Sequence, residues 1–252
     1  MENDQVAEGS VLVRRQGLTL LVASLVGFFL SQIVAGVAAT VATNTIAHQG
    51  LTHFLDHHFE RPWWLTASEM FGLWLGFTAI VVVAMKTVRP VLPAGFFKVR
   101  WPDLKFLPLG VLLQALVGAL YYPFHLKSTG DPVKQIVGHN PAYGMLVIMF
   151  FVGIGAPFIE ELLFRGVILQ SMTAVLAPRV RILAAGLVPA ILTGVVFGAA
   201  HGELVQLAGL ALVGTILAVI VQRQRRIAPA IFTHAGFNLI ALLVAWASVA
   251  VK

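Results

Sequence analysis

Apolar residues gather into seven long runs, at about 18–42, 66–86, 105–126, 143–176, 182–200, 204–222 and 227–249. A helix needs about 20 mainly apolar residues to cross the hydrocarbon of a bilayer. In lipid every backbone polar group must be satisfied internally, and runs of this length do so as helices. The pattern therefore predicts an all-α fold, a polytopic transmembrane helical bundle of about seven spans. The fourth run is too long for one upright span and too short for two spans with a loop. Gly153, Gly155 and Pro157 interrupt it. We expect one tilted helix, bent or loosened near Pro157.

Composition supports the membrane reading. The 252 residues are 58% hydrophobic and 11% charged, whereas soluble domains carry about 25% charged residues. Cysteine is absent, which excludes disulfides, thiol catalysis and thiolate metal sites. The net charge of +6 is accounted for by basic inner loops, and no nucleic-acid-binding module is visible. With a cytoplasmic N-terminus, the inner connections hold Arg14 and Arg15, then Lys86, Arg89, Lys98, Arg100 and Lys105, then Arg179 and Arg181, then Arg223, Arg225 and Arg226. Only Arg61, Lys127, Lys134 and Lys252 fall outside, and Arg165 falls within the membrane. Arg14 and Arg15 ahead of an apolar run, with small residues at 35–40, would also suit a cleaved signal peptide. The run to Ala42 is long enough to span, so the segment is read as a retained anchor. There are no repeats. By content the chain divides into an N-terminal three-helix region, 1–142, and a four-helix core, 143–252, which carries nearly all the buried polar groups.

Three groups in that core could carry chemistry. Glu160 and Glu161 sit side by side in the fourth run, where an ionisable group costs roughly 2.5 to 3.5 kcal/mol and is usually retained for function. Arg165 lies one turn after Glu161, which predicts a structural ion pair. Glu160 points about 100° away. Desolvated and lacking a cation of its own, it would suit a general base acting on water. His201 ends the stretch Phe197-Gly198-Ala199-Ala200-His201, whose small residues favour close helix approach. His234 and Asn238 are four apart on one helical face and could donate hydrogen bonds to an oxyanion. Each group alone could be structural: a braced ionic network, a hydrogen-bonded histidine, or interhelical polar packing. Glu203 is read as a loop residue, with support of His201 as its other reading.

Glu-Glu-x-x-x-Arg, then Phe-x-x-x-His, then His-x-x-x-Asn, in this order on successive membrane helices, resembles the CPBP family. These are the CAAX proteases and bacteriocin-processing enzymes, also called the type II CAAX prenyl endopeptidase or ABI family. Pro157, Phe164-Arg165-Gly166 and Ala228-Pro229-Ala230-Ile231 fit as flanking residues. The resemblance covers roughly residues 145–245, and the first three helices carry no signature of it. It implies an intramembrane endopeptidase acting on a peptide or protein near the inner membrane face. Glu160 would activate water with help from His201, while His234 and Asn238 would stabilise the oxyanion. Glu161 and Arg165 would hold the first motif, and Phe197 would pack near the site. A metal-free glutamate mechanism is favoured. A divalent ion such as zinc on Glu160, His201 and His234 is the alternative, although no His-Glu-x-x-His helix is present.

A depth check adds an expectation. At 1.5 Å per residue, His234 lies about 12 Å beyond Arg226 and His201 about 30 Å beyond Arg181. The two become level if roughly 178–188 is bent or interfacial, with Pro189 near the true start of the fifth helix. Two other readings compete with the peptidase. One is a non-catalytic immunity or regulatory protein binding through the same polar cavity. The other is a proton-coupled transporter, against which no inverted repeat is visible. The short chain without organelle-targeting signals suggests a multi-pass protein of a bacterial plasma membrane, with a bacteriocin-like or other peptide precursor as substrate as plausible as a prenylated tail. The outer loop gathers His48, His53, His57 and His58 with Asp56 and Glu60, read as an exposed loop anchored by Trp63 and Trp64 or as a metal site. The basic connection from Lys86 to Lys105, with Trp101, is expected against anionic lipid. Oligomeric state is not legible.

Overall fold

A computed structural model describes residues 2–56, 62–88, 92–124, 137, 140–176 and 184–250. All regular structure among them is helical: α1 Glu2–Ala42, α2 Leu51–Asp56, α3 Trp63–Val88, α4 Leu107–Tyr121, α5 Ala142–Leu176, α6 Ala184–Ala200, α7 Leu204–Gln224 and α8 Ala228–Ala250. Among the described residues, six helices are long and apolar enough to cross a membrane, and α6 is a shorter apolar helix. That agrees with a polytopic bundle of about seven spans. Phe29, Ile33, Val83 and Val244 lie mostly exposed on their helices. In lipid such surfaces need no cover, and the chain is an integral membrane protein.

Two details differ from expectation. Helix α5 is one helix, but its loosening is more specific than a bend. Residues Met149–Gly155 and Leu162–Ile168 are wound as π-helix. The Ala156 N–H donates to the Phe151 carbonyl and the Leu169 N–H to the Phe164 carbonyl, each five residues back. Pro157 explains the first: it has no N–H, and its ring crowds the carbonyl four residues earlier. The second contains no proline. The other difference corrects the expected start of the fifth helix. Helix α6 begins at Ala184, and Pro189 lies inside it. A proline this early costs only one of the first intrahelical bonds, so the helix continues through it. Pro178, Arg179 and Arg181 lie outside the described residues.

The chain divides into two compact units whose boundaries fall inside helices. The first comprises Met1–Gly27, Thr78–Trp101 and Glu160–Ala230. Within it α6 and α7 form an antiparallel hairpin joined by three residues. A Cβ on Gly194 would press on the Ala211 carbonyl and Thr215, and one on Gly198 on the Leu207 carbonyl and Ala211. Only glycine permits that spacing. Gln222 Nε2 donates to the Gly186 carbonyl (2.9 Å) at the far end of the hairpin.

The second unit comprises Phe28–Phe77, Pro102–Ile159 and Ile231–Lys252. Its core is Val137, Met145, Ile148, Leu242 and Ala245, with Trp63, Met149, Val152 and Trp246 packed around it. Helices α4 and α8 touch backbone to backbone. A Cβ on Gly110 would collide with the Thr233 carbonyl, and one on Gly236 with the Leu107 carbonyl. Among the described residues, every lysine and arginine except Lys105 belongs to the first unit.

Candidate active site

In the first unit, Glu161 and Arg165 are fully buried and form the expected ion pair, Arg165 Nη1 to Glu161 Oε1 at 2.8 Å. Two further contacts hold the guanidinium. Nη2 donates to the Gly214 carbonyl of α7 (2.9 Å), and the cation lies 4.6 Å from the centre of the Phe197 ring. A desolvated charge is stable only when paired and hydrogen-bonded in this way. The Arg165 carbonyl, within the second π segment, accepts from Gln170 Nε2 (3.0 Å). Glu160 departs from expectation. It is half-buried, and Arg165 attracts it as well as Glu161, though less strongly. It is therefore not an isolated acid.

Phe197 connects the first motif to the second. Its ring meets the Phe164 ring edge-on at 5.1 Å and the His201 ring at 4.8 Å. Phe164 itself lies one turn beyond Glu160. Room for the Phe197 ring depends on Gly214, where a Cβ would come within 3.0 Å of Phe197 Cδ1. His201 closes α6, and its Nδ1 lies 2.8 Å from the Phe197 carbonyl oxygen. A carbonyl has no proton to give, so the ring carries its hydrogen on Nδ1. A neutral imidazole then presents Nε2 as a lone pair. His201 itself is exposed.

In the second unit, α8 carries both remaining candidates. His234 is buried and Asn238, one turn on, is half-buried. Asn238 Nδ2 donates to the Val152 carbonyl in the first π segment of α5 (2.9 Å). This interhelical bond is one that sequence spacing could not foresee. The turn that holds His234 is the one pressed against α4 through Gly236 and Gly110.

The remaining candidates separate from these. Glu203 is the residue before the first turn of α7, and its side chain makes no capping bond, in keeping with a loop residue. His48 takes a left-handed conformation (φ 53°) where the π turn after α1 ends, and His53 meets Phe54 edge-on. His57, His58 and Glu60 lie outside the described residues. No group of three or more His, Cys, Asp or Glu side chains is placed to hold a metal ion among the described residues.

What the sequence missed is the support. Gly214 as a carbonyl partner and Val152 as the acceptor for Asn238 carry no motif of their own, and Phe197, expected near the site from the Phe-x-x-x-His motif, gave no sign that its ring would meet the guanidinium. Gly153, Gly155 and Pro157 gave the only usable signal, for the first π segment. Such segments occur frequently at functional sites.

Comparison with known proteins returned one family. The model of the type II CAAX prenyl endopeptidase Rce1-like family matches residues 142–240. A search of the curated proteins found no match, and neither did a search of the solved structures. The matched stretch contains Glu160, Glu161, Arg165, Phe197, His201, His234 and Asn238. Residues 142–240 of this integral membrane protein thus match the Rce1-like model of the type II CAAX prenyl endopeptidase family, the family that the motif spacing resembles, and the match supports an intramembrane protease-type function in general.

Proposed function

We propose that the protein is an intramembrane endopeptidase that cuts a peptide bond near the inner face of a bacterial plasma membrane, its N-terminus inside. Glu160 takes a proton from water as the water oxygen attacks the scissile carbonyl carbon. His201 assists through its Nε2 lone pair. His234 and Asn238 donate to the oxyanion of the tetrahedral intermediate. Asn238 Nδ2 carries two hydrogens, so donation to Val152 leaves one for this role. The proton then passes to the leaving amine, the C–N bond breaks, and a carboxylate and an amine leave. Glu161, Arg165 and Phe197 hold the glutamate and histidine motifs in position. No step is routed through a metal.

The observation that carries this reading is the Phe197 side chain. One ring touches the buried Arg165 of the first motif and the catalytic candidate His201 of the second. Residues needed only for lipid contact would not require such a linkage.

The test is Glu160→Gln in the purified, reconstituted full chain. A positioned general base contributes about 10²- to 10⁴-fold, so cleavage should fall by that order while folding is kept. The substrate comes from comparing peptides in cells with the wild-type gene, the variant gene or none. Fragments that vanish in both of the latter mark the cleavage site, and separate prenylated tails from bacteriocin-like precursors. Full biological activity of Glu160→Gln would instead assign the polar residues to binding, as in an immunity or regulatory protein. Chelator treatment with zinc add-back decides metal dependence.

A further inference from the structure

Two turns far apart in sequence meet at one basic surface of the first unit. The turn after α3 runs from Leu92 to Trp101, and the turn between α7 and α8 spans Arg225 to Ile227. The Ile227 N–H donates to the Phe96 carbonyl (3.0 Å). Arg226 Nη1 donates to the Lys98 carbonyl (3.2 Å). Phe96 and Ile227 are buried at the junction. Lys98, Arg100, Arg223 and Arg225 all lie exposed around it. Neither stretch, 92–101 or 222–228, contains an acidic residue.

Apolar side chains stand beside these cations. Trp101 is 85% exposed, and Phe97 and Val99 are also open. Indole rings next to basic residues suit the headgroup level of a bilayer, where one part of the surface meets acyl chain and the other meets phosphate. The backbone adds a second observation. Helix α7 ends with Arg225 in the left-handed region (φ 53°), where glycine or asparagine is usual. A cation at a strained turn position is the kind of local cost that structures keep for a purpose.

We propose that this surface, made of the 92–101 turn and Arg223 to Arg226, is a docking site for anionic lipid headgroups. Its occupant is a phosphodiester lipid such as phosphatidylglycerol, held by several cations at once while Trp101 and Phe97 enter the acyl boundary. The clamp between Arg226 and Lys98 would make it one composite site rather than two basic loops. The proposal does not depend on the proposed reaction.

The test follows the unfolding temperature of the full chain in neutral detergent as short-chain phosphatidylglycerol is titrated in, because a ligand of the folded state stabilises it by mass action. Short-chain phosphatidylcholine and inorganic phosphate are run in parallel. Each basic residue at an anionic surface contributes about 1 kcal/mol, roughly fivefold in apparent affinity. Lys98→Gln/Arg223→Gln/Arg225→Gln should therefore raise the half-saturating phosphatidylglycerol concentration by roughly a hundredfold. The charge-conserving Lys98→Arg/Arg223→Lys/Arg225→Lys should keep it. If the triple charge-removed variant fails to fold, Arg223→Gln alone should show the roughly fivefold shift. Equal stabilisation by phosphatidylcholine, or an unchanged titration in the charge-removed variants, would overturn the proposal. So would inorganic phosphate reproducing the effect, since the surface would then bind a free anion.

Discussion

The two units that carry the candidate residues are each held by different physics. In the first unit, the Glu161–Arg165 pair is supported by charge: a carboxylate, the Gly214 carbonyl and the Phe197 ring surround one guanidinium. In the second, the His234 turn is supported by contact, with Gly236 and Gly110 letting α8 lie directly on α4. The difference matters because the two fail differently. A buried charge network is lost when one partner is removed, whereas a glycine contact is lost when one atom is added.

The sharpest way to break the comparison is Arg165→Leu. It leaves the carboxylate of Glu161 fully buried without its cation, which costs about 3 to 5 kcal/mol. Unfolding in detergent with increasing denaturant measures it. Glu161→Leu/Arg165→Leu should recover most of that loss, because replacing a whole buried pair by apolar groups is often near neutral. Activity should stay low in both. A single variant as stable as wild type would show that the pair is not the support.

The second unit should answer to volume instead. In Gly236→Ala the added methyl meets the Leu107 backbone, which has no rotamer with which to escape. Overpacking of this kind costs about 1 to 3 kcal/mol. Gly118→Ala, on α4 in the same unit, meets nothing within 4 Å, and should gain about 0.5 to 1 kcal/mol from helix propensity alone. Opposite signs for the two substitutions in one unfolding assay would establish that close approach, and not glycine itself, holds the His234 turn.

These supports mark the boundary of what sequence could tell. The extents of α7 and α8, Leu204–Gln224 and Ala228–Ala250, were legible almost to the residue as the runs 204–222 and 227–249, because lipid thickness sets the length of an apolar run. The Glu161–Arg165 pair was legible from its spacing, since both ends lie on one helix. Phe197 was legible as a residue near the site, but its contact and that of Gly214 with Arg165 were not, because they depend on how closely α6 and α7 approach, and that is fixed by glycine at Gly194 and Gly214 rather than by any local period. The second π segment was hidden for a related reason. Apolar spacing reports which face is buried, and does not report whether a backbone bond reaches back four residues or five. The depth comparison of His201 with His234 points to a start near Pro189, but a proline in the sixth residue of α6 removes only one early bond and the helix already runs from Ala184.

The finest distinction separates a support from a chemical group on the same helix. Two side-chain amides cap carbonyls in the two π segments of α5: Asn238 on Val152, and Gln170 on Arg165. Removing either leaves a carbonyl without that donor, worth about 1 to 1.5 kcal/mol. Asn238→Ala and Gln170→Ala should thus lose similar stability. Their kinetics should part if Asn238 also faces the oxyanion. Removing one oxyanion donor lowers kcat by about 10²- to 10³-fold, with KM nearly unchanged because the interaction forms only in the transition state. Gln170→Ala has no such donor to lose and should keep kcat within a few-fold. Equal kcat for the two variants would reduce Asn238 to a cap on the first π segment, and leave His234 as the candidate donor of the second unit.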